Sequence, residues 1–242
     1  MGKKLRTSRY RWIMDMIHFL YNRRTYINSF KHIWILRQMK PIKNKRQADF
    51  HAIAQWVRQG ERVLDLGCGR GVLLEYLKQK NQVYGIGVDI DFQKILSCIK
   101  RGVSAYQGDI KSFLNQFDDN SFDHVILSRT IDQLEEPDAI ISKSLRVGKR
   151  VTVGFINHGF WVNRLNALFK GSRTINDVYP NPWYKTLPSN SFSIREFEAF
   201  CLEKKIKIEA RICYSGDWKK KQTLFCNLFA GYAIYDLSLN DK

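Results

Sequence analysis

Residues 62–71 read RVLDLGCGRG: a short apolar run, an aspartate, then glycine at every second position. Arg62–Leu66 has the length and composition of a buried strand. Glycine weakens both helices and strands, so Gly67, Gly69 and Gly71 mark a place where the backbone must take left-handed angles or stand bare beside a ligand. The amphipathic VLLEYLKQK that comes next, with its basic end, predicts a helix. The stretch is therefore strand, glycine turn, helix.

The same alternation continues outward. QVYGIGVDI, VSAYQGDI, SFDHVILS and KRVTVGFI read as four further strands. DFQKILSCIKRG and PDAIISKSLRVG read as helices, the first stopped by Gly102 and the second opened by Pro137. Upstream, QADFHAIAQWV predicts a helix from residue 47, with Phe50, Ile53, Ala54 and Val57 on one face. SIREFEAFCLEKK carries Ser193 and Glu196 as a capping box, and KIKIEARICY and CNLFAGYAIYDL read as the last strands. This order predicts an α/β fold: a doubly wound, mostly parallel sheet with helices on both faces. Residues 157–192 break the rhythm with many aromatics and Pro180, Pro182 and Pro188, and are expected to form an insertion containing a helix, FWVNRLNALFK.

Composition sets the outer bounds. Of 242 residues, 44% are hydrophobic and 13% aromatic, enough for a core and against global disorder. No apolar run of the length a membrane helix needs is present, and the first residues lack the apolar segment and cleavage site of a secretory signal. The five cysteines are scattered without a C-x-x-C pair, so neither a disulfide framework nor a metal site is expected, and the cytoplasm is the expected compartment. Of the +17 net charge, most sits in residues 1–46, with 13 Lys and Arg against the single acid Asp15; residues 47–242 hold 27 against 22. The expected division is a basic, aromatic-rich N-terminal extension over 1–46 and a domain over 47–242. Such an extension could be a solvated arm, or it could bind nucleic acid or an anionic membrane. Met39 lies just ahead of the domain, so the expectation is that it is the physiological start or that residues 1–38 form a dispensable arm.

The spacing of the glycines separates two ligand classes. Dinucleotide folds use G-x-G-x-x-G against a pyrophosphate. Here the pattern is G-x-G-x-G behind Asp65, whose carboxylate would repel a pyrophosphate and suit a cationic amino group. The second strand ends at Asp89, placed to accept from both ribose hydroxyls. The third ends at Asp109, able to accept from an adenine amino group. Asp89 could instead cap a helix and Asp109 could serve a turn. Together, Asp65, Gly67, Gly69, Gly71, Asp89 and Asp109 outline a pocket for amino acid, ribose and adenine without phosphate, which is S-adenosylmethionine.

The run VLDLGCGRG…VYGIGVDID…GVSAYQGDI…FDHVILSRTI resembles the Rossmann-like class I methyltransferases. More narrowly, the chain resembles the MetW family through ADFHAIAQWV, SLRVGKR, GFINHGFWVNRLNALFKG, WYKTLPSNSFSIREFEAFC and NLFAGYAIYDL, over about residues 47–237. The resemblance implies a role in methionine biosynthesis in partnership with homoserine O-acyltransferase. Two features depart from the family pattern: the basic arm has no counterpart, and Arg70 stands where an acid is common. An alternative reading is an active methyltransferase on a small-molecule or protein acceptor. Its candidate base is His158, past the fifth strand; Ser128, Arg129, Asp132 and Gln133 compose no recognised motif. His124 and Cys68 read as structural, and Lys149 and Arg150 as surface charges. Trp161, Leu165, Phe169 and Trp183 are the expected partner patch, with Trp161 and Arg164 on one helix face.

Overall fold

The computed structural model describes residues 42–171, 185, 189–216, 218 and 220–240, with side chains from Ala48 onward. The basic arm 1–38, Met39, Trp183 and the segment with Pro180, Pro182 and Pro188 lie outside the described residues. The chain divides into two units, Met1–Lys43 and Asn44–Lys242, and the sheet belongs to the second.

Elements alternate along the chain as α1 (Ile42–Trp56), β1 (Arg62–Leu66), α2 (Val72–Asn81), β2 (Tyr84–Asp89), α3 (Phe92–Lys100), β3 (Ser104–Gln107) and α4 (Ile110–Leu114). They continue as β4 (Phe122–Ser128), α5 (Pro137–Val147), β5 (Gly148–Ile156), α6 (Trp161–Lys170), α7 (Ile194–Glu203), β6 (Ile206–Tyr214), α8 (Cys226–Phe229) and β7 (Tyr232–Leu239). The seven strands form one sheet in the order β3-β2-β1-β4-β5-β7-β6. β1 to β5 are parallel, whereas β7 runs antiparallel between β5 and β6. The strand order reverses at β1, which puts the carboxyl ends of β1 and β4 at the topological switch point.

The sheet separates two apolar layers. On one face Leu64, Val125, Leu127, Phe155 and Tyr235 meet Leu114, Ile140, Leu145 and Phe197. On the other, Val63, Ile126 and Ile234 meet Ile53, Val57, Leu74, Leu77 and Ile95. Adjacent residues of one strand go to opposite layers, as the pleat requires. Full burial of each such side chain contributes about 1.5–3 kcal/mol relative to exposure. The doubly wound, mostly parallel architecture expected from the sequence is the one observed.

Three elements differ from expectation. CNLFAGYAIYDL is not one strand: Phe225 adopts φ 49°, α8 occupies Cys226–Phe229, and β7 starts only at Tyr232. Gly231, at the end of this bend, lets the chain pass close to Gly216, because a Cβ there would stand 2.7 Å from the Cα of Gly216. α4 comes after β3 because Asp109 caps it, accepting from the N–H of Ser112 at 2.8 Å. α1 begins at Ile42, ahead of residue 47. The Ser193–Glu196 capping box forms as the sequence predicts, with Glu196 accepting from the Ser193 N–H at 2.8 Å.

Candidate functional site

The glycine turn joins β1 to α2. Gly67, Gly69 and Gly71 all have positive φ, at 77°, 57° and 72°. Two of them differ in what surrounds them. A Cβ on Gly67 would lie 2.4 Å from the hydroxyl of Thr130, while one on Gly69 would meet no protein atom within 4 Å. The first glycine lets the loop close against the end of β4; the second leaves open space above the turn. The loop is fastened to β2 by the N–H groups of Gly67 and Cys68, which donate to the Val88 carbonyl at 2.8 and 3.0 Å.

Asp89, at the end of β2, is buried and organises the turn. It accepts from the N–H of Gly69 at 3.0 Å, from the N–H of Asp91 at 2.9 Å, and from the Lys94 ammonium at 3.3 Å. It is not the cap of α3; Asp91 fills that role. Asp109, by contrast, is a helix cap that also lines a cavity at the strand ends. Asp65 is buried beneath the turn. Burial pushes its carboxyl up to about 7, and the Asp89 charge adds to the shift.

Two adjoining cavities open at these strand ends. One, of about 460 Å³, is lined by Gly67, Gly69, Asp89 and Asp109, with Ile90, Ile110, Leu134 and Ile140 as apolar walls. The other, of about 390 Å³, is lined by Asp49, Phe50, Asp65, Gly69, Arg70 and Leu73, among others. Gly67, Gly69, Lys94 and Arg129 border both. Five of the six residues expected from the sequence to bind a ligand thus line these cavities; Gly71 is the N-cap of α2 just behind them.

Arg129 is not singled out by its sequence context. It follows β4 with φ 60°, and its N–H donates to the Gly154 carbonyl at 2.8 Å. Its side chain pairs with Asp49 of α1, whose side chain is fully buried. Only the spatial return of α1 to the end of β4 brings these two together, a separation of 80 positions in the chain.

The other candidates fall elsewhere. His158 lines neither cavity. Its N–H donates to the Phe192 carbonyl, and it stands by the α7 cap, where the Ser193 hydroxyl and N–H hold the Glu196 carboxyl low and His158 adds to the effect. His124 is buried, 2.7 Å from the Thr152 hydroxyl, and burial followed by the Arg150 charge pushes it down to about 3. Cys68 is a packing residue with its sulfur 3.9 Å from that of Cys98, and burial pushes its thiol up. Lys149 is a surface charge on Asp123, but Arg150 corrects the expectation: it pairs with Asp236, which has no exposed surface. No side chain of α6 is buried, and Trp161, Leu165, Leu168 and Phe169 are all exposed. Arg164 folds back, donating to the Gly159 carbonyl at 2.7 Å. Among the described residues no helix is long and apolar enough to cross a membrane.

Comparison with known proteins gives this geometry its relatives. The family model described as "Methionine biosynthesis protein MetW" matches residues 47–237. A curated relative from Rhodopirellula baltica, "Bifunctional methionine biosynthesis protein MetXA/MetW", is 30% identical over 120 residues. That match takes in 46% of this chain and only 19% of the relative's length. Among solved structures, a SAM-dependent methyltransferase of Thermotoga maritima is similar with a TM-score of 0.58 and 15% identity, covering 89% of this chain and 97% of its own. A SAM-dependent methyltransferase of Archaeoglobus fulgidus gives 0.55 and 21%, covering 78% and 91%. At these identities the likeness concerns the fold.

Proposed function

We propose that this chain, which belongs to the MetW family of methionine biosynthesis proteins, binds S-adenosylmethionine across the two cavities and serves that pathway beside a homoserine O-acyltransferase. The observation that carries the reading is convergence: Asp65, Asp89 and Asp109, from the ends of three successive strands, meet one glycine turn with open space above Gly69. The residues present fit the ligand. Ile90 and Ile110 would flank adenine, Asp109 would accept from its amino group, Asp89 would accept from the ribose and Asp65 would hold the ammonium. The half-exposed Lys94 would share Asp89 with the ribose hydroxyls. We take 47–242 as the methyltransferase-like domain and 1–46 as an extension to it, with the cytoplasm as its compartment.

The ionisation of Asp65 gives a direct test. A carboxyl raised to about 7 is protonated below that pH, and a protonated acid cannot pair with an ammonium group. Affinity for S-adenosylhomocysteine is therefore expected to rise by up to about tenfold per unit from pH 5.5 to 7, then level off. In Asp65→Asn the profile should be flat over that range. Isothermal titration at several pH values measures both; a flat wild-type profile would count against Asp65 as the ammonium partner.

The partner rests on two supports. The curated relative carries MetXA and MetW in its name as one bifunctional chain. In addition, α6 presents exposed Trp161, Leu165, Leu168 and Phe169, and no residue of α6 lines either cavity. Large apolar side chains of this kind are typical interface anchors. Co-expression with the acyltransferase should give one peak on size exclusion, and Trp161→Ala with Phe169→Ala should split it. Separate elution of the wild-type pair at micromolar concentration would sink this part of the reading.

A further inference from the structure

An α-amino acid end carries two charges on one carbon, and Asp65 meets only the positive one. Resting on the proposed cofactor, we infer that Arg129 receives the carboxylate, so that the cavity selects adenosyl ligands that keep it.

Arg129 is built into position rather than left loose. Its backbone is held in the left-handed region, uncommon for a residue with a side chain, by the bond from its N–H to Gly154. The guanidinium lies over the Trp218 ring, 4.6 Å from its centroid, and 5.8 Å from that of Tyr232. Those two rings are themselves stacked at 4.0 Å, so the guanidinium plane is held against a rigid aromatic surface. Asp49 takes the Nε–H at 2.8 Å and one Nη2–H. A guanidinium has five N–H donors in a fixed fork, so these two bonds, with the Tyr232 hydroxyl as a further neighbour, still leave donors for a ligand acceptor. Asp49 is fully buried while the Arg129 side chain keeps 22% of its surface exposed, and Arg129 borders both cavities. The buried acid thus holds the arginine from behind and an open side of it faces the ligand space.

Among the described residues, two other cations border the cavity that contains Asp65. Lys94 is drawn to Asp89, on the ribose side of the turn, and Arg70 is exposed at the rim. Arg129 is the cation that is both oriented by its neighbours and sheltered from water, where a charge-assisted bond to a carboxylate is strong.

The test compares S-adenosylmethionine with its decarboxylated form, which keeps the sulfonium and the ammonium and lacks only the carboxylate. Titrated into the full chain at pH 8, the first should bind roughly tenfold or more tightly than the second. In Arg129→Gln the two should agree within about twofold, with affinity for the decarboxylated ligand within about threefold of wild type. Arg70→Gln should keep the preference. The inference is overturned if the wild type discriminates less than about twofold, if the preference survives in Arg129→Gln, or if it disappears in Arg70→Gln. Should Arg129→Gln fail to fold, the wild-type ratio and the Arg70→Gln ratio still decide. Binding of neither ligand by the wild type would remove the cofactor reading itself, whereas equal binding of both removes only the role of Arg129.

Discussion

Asp89→Ala is expected to weaken S-adenosylmethionine binding by about 1–3 kcal/mol, roughly five- to 150-fold. The carboxylate does two things at once. It is the acceptor proposed for the ribose hydroxyls, and it holds the N–H of Gly69 at 3.0 Å and that of Asp91 at 2.9 Å. Alanine removes the acceptor and also the bond to Gly69, while the Gly67 and Cys68 bonds to Val88 still tie the turn to β2. Asp89→Asn keeps the shape and one acceptor oxygen, so its loss should fall between wild type and alanine. Because Lys94 is paired with Asp89, the alanine variant also leaves a free ammonium at the cavity edge, which adds to the loss for a cationic ligand. Unchanged affinity in Asp89→Ala, measured by isothermal titration, would remove Asp89 from the site.

Arg150→Met is expected to destabilise the fold by about 3 kcal/mol at pH 8, the lower end of what breaking a buried ion pair costs. The lower end applies because the Arg150 side chain keeps 35% of its surface exposed while Asp236 has none. Asp236 lies in β7 opposite Thr152 of β5 and Ala210 of β6, paired on both sides. Its neighbour His124, 4.0 Å away, does not replace Arg150 as a counter-charge at pH 8, because burial, the main cause of its weak hold on a proton, is untouched by the substitution. Burial pushes the Asp236 carboxyl up to about 6 even with Arg150 pulling it down; Glu209 and Glu61 push the same way as burial. A carboxyl raised in the folded state binds more protons there than in the unfolded chain, so it favours folding at low pH and that contribution is lost as pH rises through about 6. Without Arg150 the carboxyl rises further, and protonation spares the fold an unpaired charge. The deficit of Arg150→Met should therefore shrink as pH falls from 8 to 5. Urea denaturation at the two values measures it; an equal deficit at both would mean that charge at Asp236 is not the cause.

The fold is legible from the chain because its signals are local. The Arg62–Leu66 strand, the glycine turn and the Ser193–Glu196 box each depend on residues within a few positions of one another. The acids at the ends of the strands are equally readable, since each lies in the last residues of its own strand or just past it. The features that escape a reading of the chain depend on distance along it. Arg129 gains its meaning from Asp49, 80 positions away, and from Trp218 and Tyr232, which arrive from the far end. Arg150 looks like any surface charge until β7 lays Asp236 beside it. The break between α8 and β7 hides for another reason: Phe225 takes a left-handed turn with no glycine at that position to announce it. His158 illustrates the converse. Its place after β5 suggests a base near the strand ends, but the chain turns it towards the start of α7.

Whether the glycine turn and its three acids form an adenosylmethionine site is tested most directly by titrating S-adenosylmethionine into the full wild-type chain at pH 8 by isothermal calorimetry. Saturable binding at a single site is the predicted result, weakened in Asp89→Ala under the same conditions. No detectable binding of either S-adenosylmethionine or S-adenosylhomocysteine up to millimolar ligand would contradict it.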